Sequence, residues 1–208
     1  MKKNRLKKTL AILLSVVMAQ GIVSTTTVST SAVDTQVVES QISKENYGYF
    51  SNEDWEYLKY SDHICVTQYL GTNSEVVVPS TIDNLPVTTI YETFWLISGV
   101  TRVTIPEGIT VLGYMAFACC GDLEYINIPS TVNTIEAQAF EGCKNLKVDL
   151  IIPDGVSTLE NSSFSEIPKV PSVLVPDSVT SIDKYTFFLN DGPVVYYSSK
   201  NTAMKEFA

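Results

Sequence analysis

The chain has 208 residues, 45% of them hydrophobic and 18% charged, a balance that suits one globular domain with a sizeable core. The formal net charge is −9, and the first 32 residues hold five positive charges and no acid, so the rest carries nine basic groups against 23 acidic ones. Such acidity gives no electrostatic footprint for DNA, RNA or anionic lipid, and its simplest meaning is solubility.

Residues 1–32 read as a secretory signal peptide. Lys2, Lys3, Arg5, Lys7 and Lys8 form a positive leading region, and Leu10 to Val23 form an apolar stretch short for a bilayer span. Small residues follow, and Thr30-Ser31-Ala32 suits cleavage before Val33. The alternative is a retained membrane anchor. No cysteine precedes Cys65, so no lipid-attachment residue stands near the cleavage site. The mature product is expected to be secreted or extracellular, associated with the cell surface only where a partner holds it there, with no membrane contact of its own. Residues 33–46 are polar and aperiodic, a flexible leader.

From Tyr47 to Gly71 the pattern alternates with period two. Trp55, Tyr57 and Lys59 alternate with Glu56, Leu58 and Tyr60, and Ile64, Val66 and Gln68 alternate with Cys65, Thr67 and Tyr69. The polar turn Ser61-Asp62-His63 between these runs predicts a β-hairpin.

A repeat follows. Pro79, Pro106, Pro129, Pro153 and Pro176 are 27, 23, 24 and 23 residues apart. Three residues after each proline stands Ile82, Ile109, Val132, Val156 or Val179; eleven after the last four stand Phe117, Phe140, Phe164 and Phe187. The first unit carries the insertion Asp83-Asn84-Leu85-Pro86, and Phe94 rather than Trp95 is assigned to its phenylalanine column. A fixed period of this size means stacked units, each too small to bury its own apolar side chains. Strands are expected just before each proline, at Val76–Val78, Val103–Ile105, Ile126–Ile128, Leu150–Ile152 and Val173–Val175, since proline lacks a ladder donor. The end residues of these five triplets are all aliphatic, which assigns them to the inside. About five repeats then run from 76 to 197, with Val194 to Tyr197 as a last strand and residues 201–208 as a short closing helix capped by Thr202. The chain is expected to end with this cap, with no appended module.

The line from Leu123 to Cys143 resembles the bacterial BspA-type leucine-rich repeat family, whose pattern is Leu-x-x-Ile-x-Ile-Pro-x-x-Val-x-x-Ile-x-x-x-Ala-Phe-x-x-Cys. Every marked position matches. Elsewhere Ala-Phe weakens to Ser163-Phe164 and Thr186-Phe187, and the cysteine column survives at Cys120 and Cys143. The resemblance covers about Tyr47 to Ala208. It implies a β-rich leucine-rich-repeat solenoid: parallel stacked short strands with short helical turns, an N-terminal β-hairpin cap and a short C-terminal helix. The domain is then 47–208.

Little chemistry is visible. His63, the single histidine, reads as a turn residue, although Cys65 stands two positions on. Cys119, Cys120 and Cys143 lack the paired spacing of a zinc site, and the dispersed acids lack a calcium-loop spacing. Cys120 and Cys143 share a column on adjacent rungs, which permits a disulfide after export, but the column is part of the repeat's packing pattern and this favours small buried thiols. No catalytic residue, metal ligand or cofactor is expected.

What remains is surface. Period two turns outward one column of Val77, Thr104, Asn127, Ile151 and Leu174, and another of Glu75, Arg102, Tyr125, Asp149 and Ser172. The candidate partner-binding face is Arg102, Thr104, Tyr125, Asn127, Asp149, Ile151, Ser172 and Leu174. The resemblance implies a secreted or cell-surface protein-interaction module of the adhesion type, without catalysis. The alternative is a carbohydrate-binding accessory protein, for which a row of exposed aromatics would speak. The partner is thus a protein or a glycan at an extracellular surface.

Overall fold

The computed structural model describes residues 48–188 and the backbone of residues 194–197. The expected signal peptide, leader and closing helix lie outside them.

The cap is built from β1 (Gly48–Ser51), β2 (Trp55–Lys59) and β3 (Ile64–Tyr69). β2 and β3 form the expected antiparallel hairpin, and β1, which the sequence reading lacked, adds antiparallel to β2. The solenoid continues with β4 (Glu75–Val77), β5 (Thr81–Ile82), β6 (Leu85–Ile90), β7 (Arg102–Thr104), β8 (Val111–Leu112), β9 (Tyr125–Ile126), β10 (Thr134–Ile135), β11 (Leu150–Ile151), β12 (Thr158–Leu159), β13 (Ser172–Val175), β14 (Ser181–Ile182) and β15 (Val194–Tyr197).

Each rung has three sides. The strands before the prolines make the first, in two parallel ladders of order β4-β7-β9 and β11-β13-β15. The second side holds β6-β8-β10, to which the cap attaches through a parallel β3–β6 pairing, and β12-β14. The inserted Asp83 and Asn84, at φ 53° and 62°, form a two-residue turn with both φ positive that folds β5 back on β6. Lys59 and Tyr57 of the cap reach the Asp83 carboxylate at 2.8 and 3.2 Å, so the insertion clamps the cap to the first rung.

On the third side the Ala-Phe segment, expected as a short helical turn or an extended corner, is a non-helical corner. No helix occurs among the described residues. The Ala-Phe segment is a run of tight turns with a positive-φ residue at each end, four residues apart: Met115 and Cys119, Gln138 and Gly142, Ser162 and Glu166. Within each run every second N–H points along the stack, as at Met115, Phe117 and Cys119. Phe94 N–H donates to Ala116 O, Phe117 to Ala139, Phe140 to Ser163 and Phe164 to Thr186, at 2.8–3.0 Å. The corner is therefore a third inter-rung ladder, and its buried backbone groups are paired without helix or strand.

Inside it the rings of Phe94, Phe117, Phe140, Phe164 and Phe187 stack at centroid spacings of 5.1, 5.4, 5.3 and 6.0 Å. Phe94 is fully buried and holds the column as assigned, while Trp95 lies outside the core. Trp55 and Tyr69 of the cap close the column over Phe94 at 6.0 and 5.8 Å. Of the expected inward strand residues all are buried except Ile128, which is half-buried.

Both sheets lapse at one place. No strand pairing joins β9 to β11 or β10 to β12. This is the 24-residue repeat, whose extra residue lies between Leu146 and Leu150. The corner ladder crosses the same junction uninterrupted.

Candidate functional site

Strand alternation puts the candidate residues on the outside of the first side, and the lapse divides them. Arg102, Thr104, Tyr125 and Asn127 belong to β4-β7-β9 and its continuation. Asp149, Ile151, Ser172 and Leu174 belong to β11 and β13 or precede β11 by one residue. Tyr125 and Asp149 therefore stand on opposite sides of the interruption.

In the first group Arg102 pairs in register with Tyr125, and its guanidinium lies 4.1 Å from the ring centroid. The cation thus covers the tyrosine of this ladder. Asn127 is occupied by the fold. Its side chain accepts from Ile105 N–H and donates to Ile105 C=O, both at 2.8 Å. It replaces a backbone pairing that elsewhere runs from strand to strand, as from Val78 N to Thr104 O. Thr104 is exposed, and so is Val77, at 69%, which completes the column on the next rung.

In the second group the register sets Leu150 beside Val173 and Ile151 beside Leu174. Leu150 and Val173 are buried, whereas Ile151 is 61% exposed and Leu174 44%. Ser172 Oγ donates to the Asp149 carboxylate at 2.6 Å, fixing the start of the two strands. The group is an apolar pair with a polar edge.

The remaining candidates for chemistry are accounted for by packing. His63 stacks on Tyr60 at 4.4 Å and bonds Asp62 at 2.7 Å. Asp62 is held below the usual carboxylate range by that histidine. Cys65 is buried, and desolvation pushes its thiol up to about 12, far from nucleophilic use. Cys120 and Cys143 are free thiols. Their S–H groups donate to Phe94 O and Phe117 O of the preceding rung, at 2.9 and 3.1 Å. Burial and the Cys143 thiol beside it raise Cys120. The column of buried thiols is the reading the repeat pattern favours; the S–H bonds to the preceding rung carry no signal in the sequence. Among the described residues, no group of three His, Cys, Asp or Glu side chains converges to hold a metal ion.

With this geometry in hand, comparison with known proteins is direct. The profile of the BspA type leucine-rich repeat region matches residues 73–192 in six copies, more than half of the chain. The chain belongs to the BspA-type leucine-rich repeat family. Among solved structures, the leucine-rich repeat protein of T. pallidum is similar at 26% identity, with 71% of each chain covered and a TM-score of 0.64. The pneumococcal vaccine antigen PcpA is similar at 21% identity and a TM-score of 0.52, over 72% of this chain and 38% of that one. A leucine-rich cell surface protein of Faecalibacterium prausnitzii shares 18% identity over 73% of this chain and 55% of that one, at a TM-score of 0.48. No curated protein matches the sequence. The BspA-type repeat accounts for the proline, aliphatic, Ala-Phe and cysteine columns together.

Proposed function

We propose that this chain is an extracellular, non-catalytic protein-interaction module of the adhesion type, and that it engages its partner through the outer face of the strands that precede the prolines. One observation carries the reading: Ile151 and Leu174 stand side by side on paired strands, exposed, while the flanking Leu150, Ile152, Val173 and Val175 are buried. Interface centres are apolar with a polar rim, and Asp149 with Ser172 supplies such a rim on one side. Family membership supports a repeat scaffold that presents a surface. The composition of residues 1–32 supports export.

A protein partner is favoured over a glycan. Sugar binding wants exposed aromatic rings in a planar row, and among the described side chains of this face the one tyrosine is Tyr125, half-buried and covered by Arg102. The test is a protein microarray and a glycan array probed with residues 33–208 and with the Ile151→Asp variant. The proposal expects protein signals that the variant loses, with melting unchanged. Glycan signals, or protein signals indifferent to Ile151, would contradict it.

A further inference from the structure

The apolar pair on β11 and β13 has charged surroundings of one sign. Asp149 immediately precedes Ile151's strand, and Asp154 and Asp177 stand just past the ends of β11 and β13, each one residue after its proline. All three are exposed. No lysine or arginine pairs with any of them among the described residues. The nearest bases in sequence are engaged elsewhere: Lys147 with Glu124 at 2.8 Å, Lys169 with Asn145 at 2.6 Å, and Lys184 over the Tyr185 ring at 4.5 Å. On the other ladder the corresponding position is Glu107, and its carboxylate is engaged by Ser130 and Thr131 of the next rung, which hold it below the usual carboxylate range. The three carboxylates beside Ile151 and Leu174 thus have no cation partner among the described residues, and Asp149 is met by the Ser172 hydroxyl.

A second copy of this chain is a poor occupant for such a face. A two-fold contact presents the same patch to itself and would set aspartates against aspartates as the apolar pairs met. A neutral apolar segment would leave three carboxylates partly desolvated without compensation. Charge complementarity requires cations at the rim and apolar side chains at the centre.

We infer that the partner of this face is a basic protein segment, with lysine or arginine flanking one or two apolar side chains that seat on Ile151 and Leu174. This rests on the face proposed above, and sharpens it to one class of partner. The aspartates supply steering and selection against acidic surfaces, while the apolar pair supplies the buried area.

The probe is a displayed library of random peptides about a dozen residues long, selected on residues 33–208 at low ionic strength and counter-selected on Ile151→Thr. Ile151→Thr keeps a strand-forming residue, and its melting curve verifies the fold. The inference expects the Ile151-dependent peptides to be enriched in Lys and Arg around an apolar centre. Their affinity should fall about 5- to 10-fold in Asp154→Asn/Asp177→Asn, less so as salt rises. The exposed cap variant Glu53→Gln/Asp54→Asn, with the same change in charge, should leave it unaltered. Ile151-dependent peptides that are neutral or acidic would overturn the inference and leave the face reading standing. An equal loss in the cap variant would reduce the effect to net charge and overturn the inference. No Ile151-dependent peptide at all would overturn both.

Discussion

The phenylalanine corner and the two β sides of the solenoid carry the same 23-residue repeat but respond differently to its one irregularity. At the 24-residue unit both sheets lapse between the third and fourth rungs. The corner does not. Gln138, Phe140 and Gly142 donate across the junction to Asn161, Ser163 and Ser165 at 2.9, 2.9 and 3.0 Å, and Phe140 stacks on Phe164 at 5.3 Å. Glu160 adds a side-chain link, its carboxylate accepting from Ala137 N at 2.9 Å. The extra residue is absorbed where strands are only two residues long and solvent can replace a lost pairing. It is not absorbed where a buried amide would be left without a partner. Continuity of the stack therefore lives in the corner, and the sheets are free to vary their outer residues.

The largest expected effect breaks the corner itself. Phe140→Ala empties a fully buried ring site between Phe117 and Phe164 at this junction, and should cost about 3–5 kcal/mol in thermal or denaturant unfolding. Melting within a degree or two of the parent would place stability elsewhere. The opposite change improves the corner. Ser163 occupies the alanine column of Ala116 and Ala139, is fully buried, and its hydroxyl finds no partner among the described residues. Ser163→Ala should stabilise by about 1 kcal/mol; a loss of stability would mean that the hydroxyl is satisfied. Thr186, next in the column, is no such candidate, because its hydroxyl donates to Glu160 O at 3.1 Å.

A smaller, pH-dependent effect separates burial from exposure within the carboxylates. Burial raises Glu136 above its ordinary value, outweighing the bond its carboxylate accepts from Tyr114 N at 2.7 Å. A carboxyl group whose folded value is raised binds more protons folded than unfolded. Its effect is absent below the unfolded value near 4.5, and it costs stability as pH rises through the folded value. Glu136→Gln keeps an acceptor and removes the charge, so its melting temperature should gain on the parent between pH 4 and pH 7. A difference flat with pH would show that Glu136 is not penalised. The smallest effect lies on the sheet. Ile151→Asp should change stability by less than about 1 kcal/mol, since the side chain is mostly exposed. Unfolding by this substitution would mean that the strand register is misassigned.

Much of this fold was legible because solenoids print their core on the sequence. Aliphatic pairs at alternate positions before each proline fixed which face of β11 and β13 is wet, and the spacing from proline picked Phe94 over Trp95. The corner was less legible. Left-handed residues such as Met115, Gln138 and Ser162 leave no hydrophobic period, and only Gly142 signals the conformation by its residue type. The insertion was seen as a displacement of the repeat, whereas Asp83 and Asn84 make it a hairpin that clamps the cap. Asn127 looked like surface because its outward position is shared with Ile151. Its amide is instead consumed by Ile105, a commitment that only the neighbouring rung reveals.

Native-state hydrogen exchange across the third and fourth rungs tests the division between corner and sheets most directly. The account predicts that the amides of Gln138, Phe140 and Gly142 exchange only with global unfolding, whereas those at the ends of the interrupted ladders, Ile128 and Ile151, exchange by local opening. Corner amides that exchange faster than those of β13, or an Ile128 amide as protected as Phe140, would contradict it.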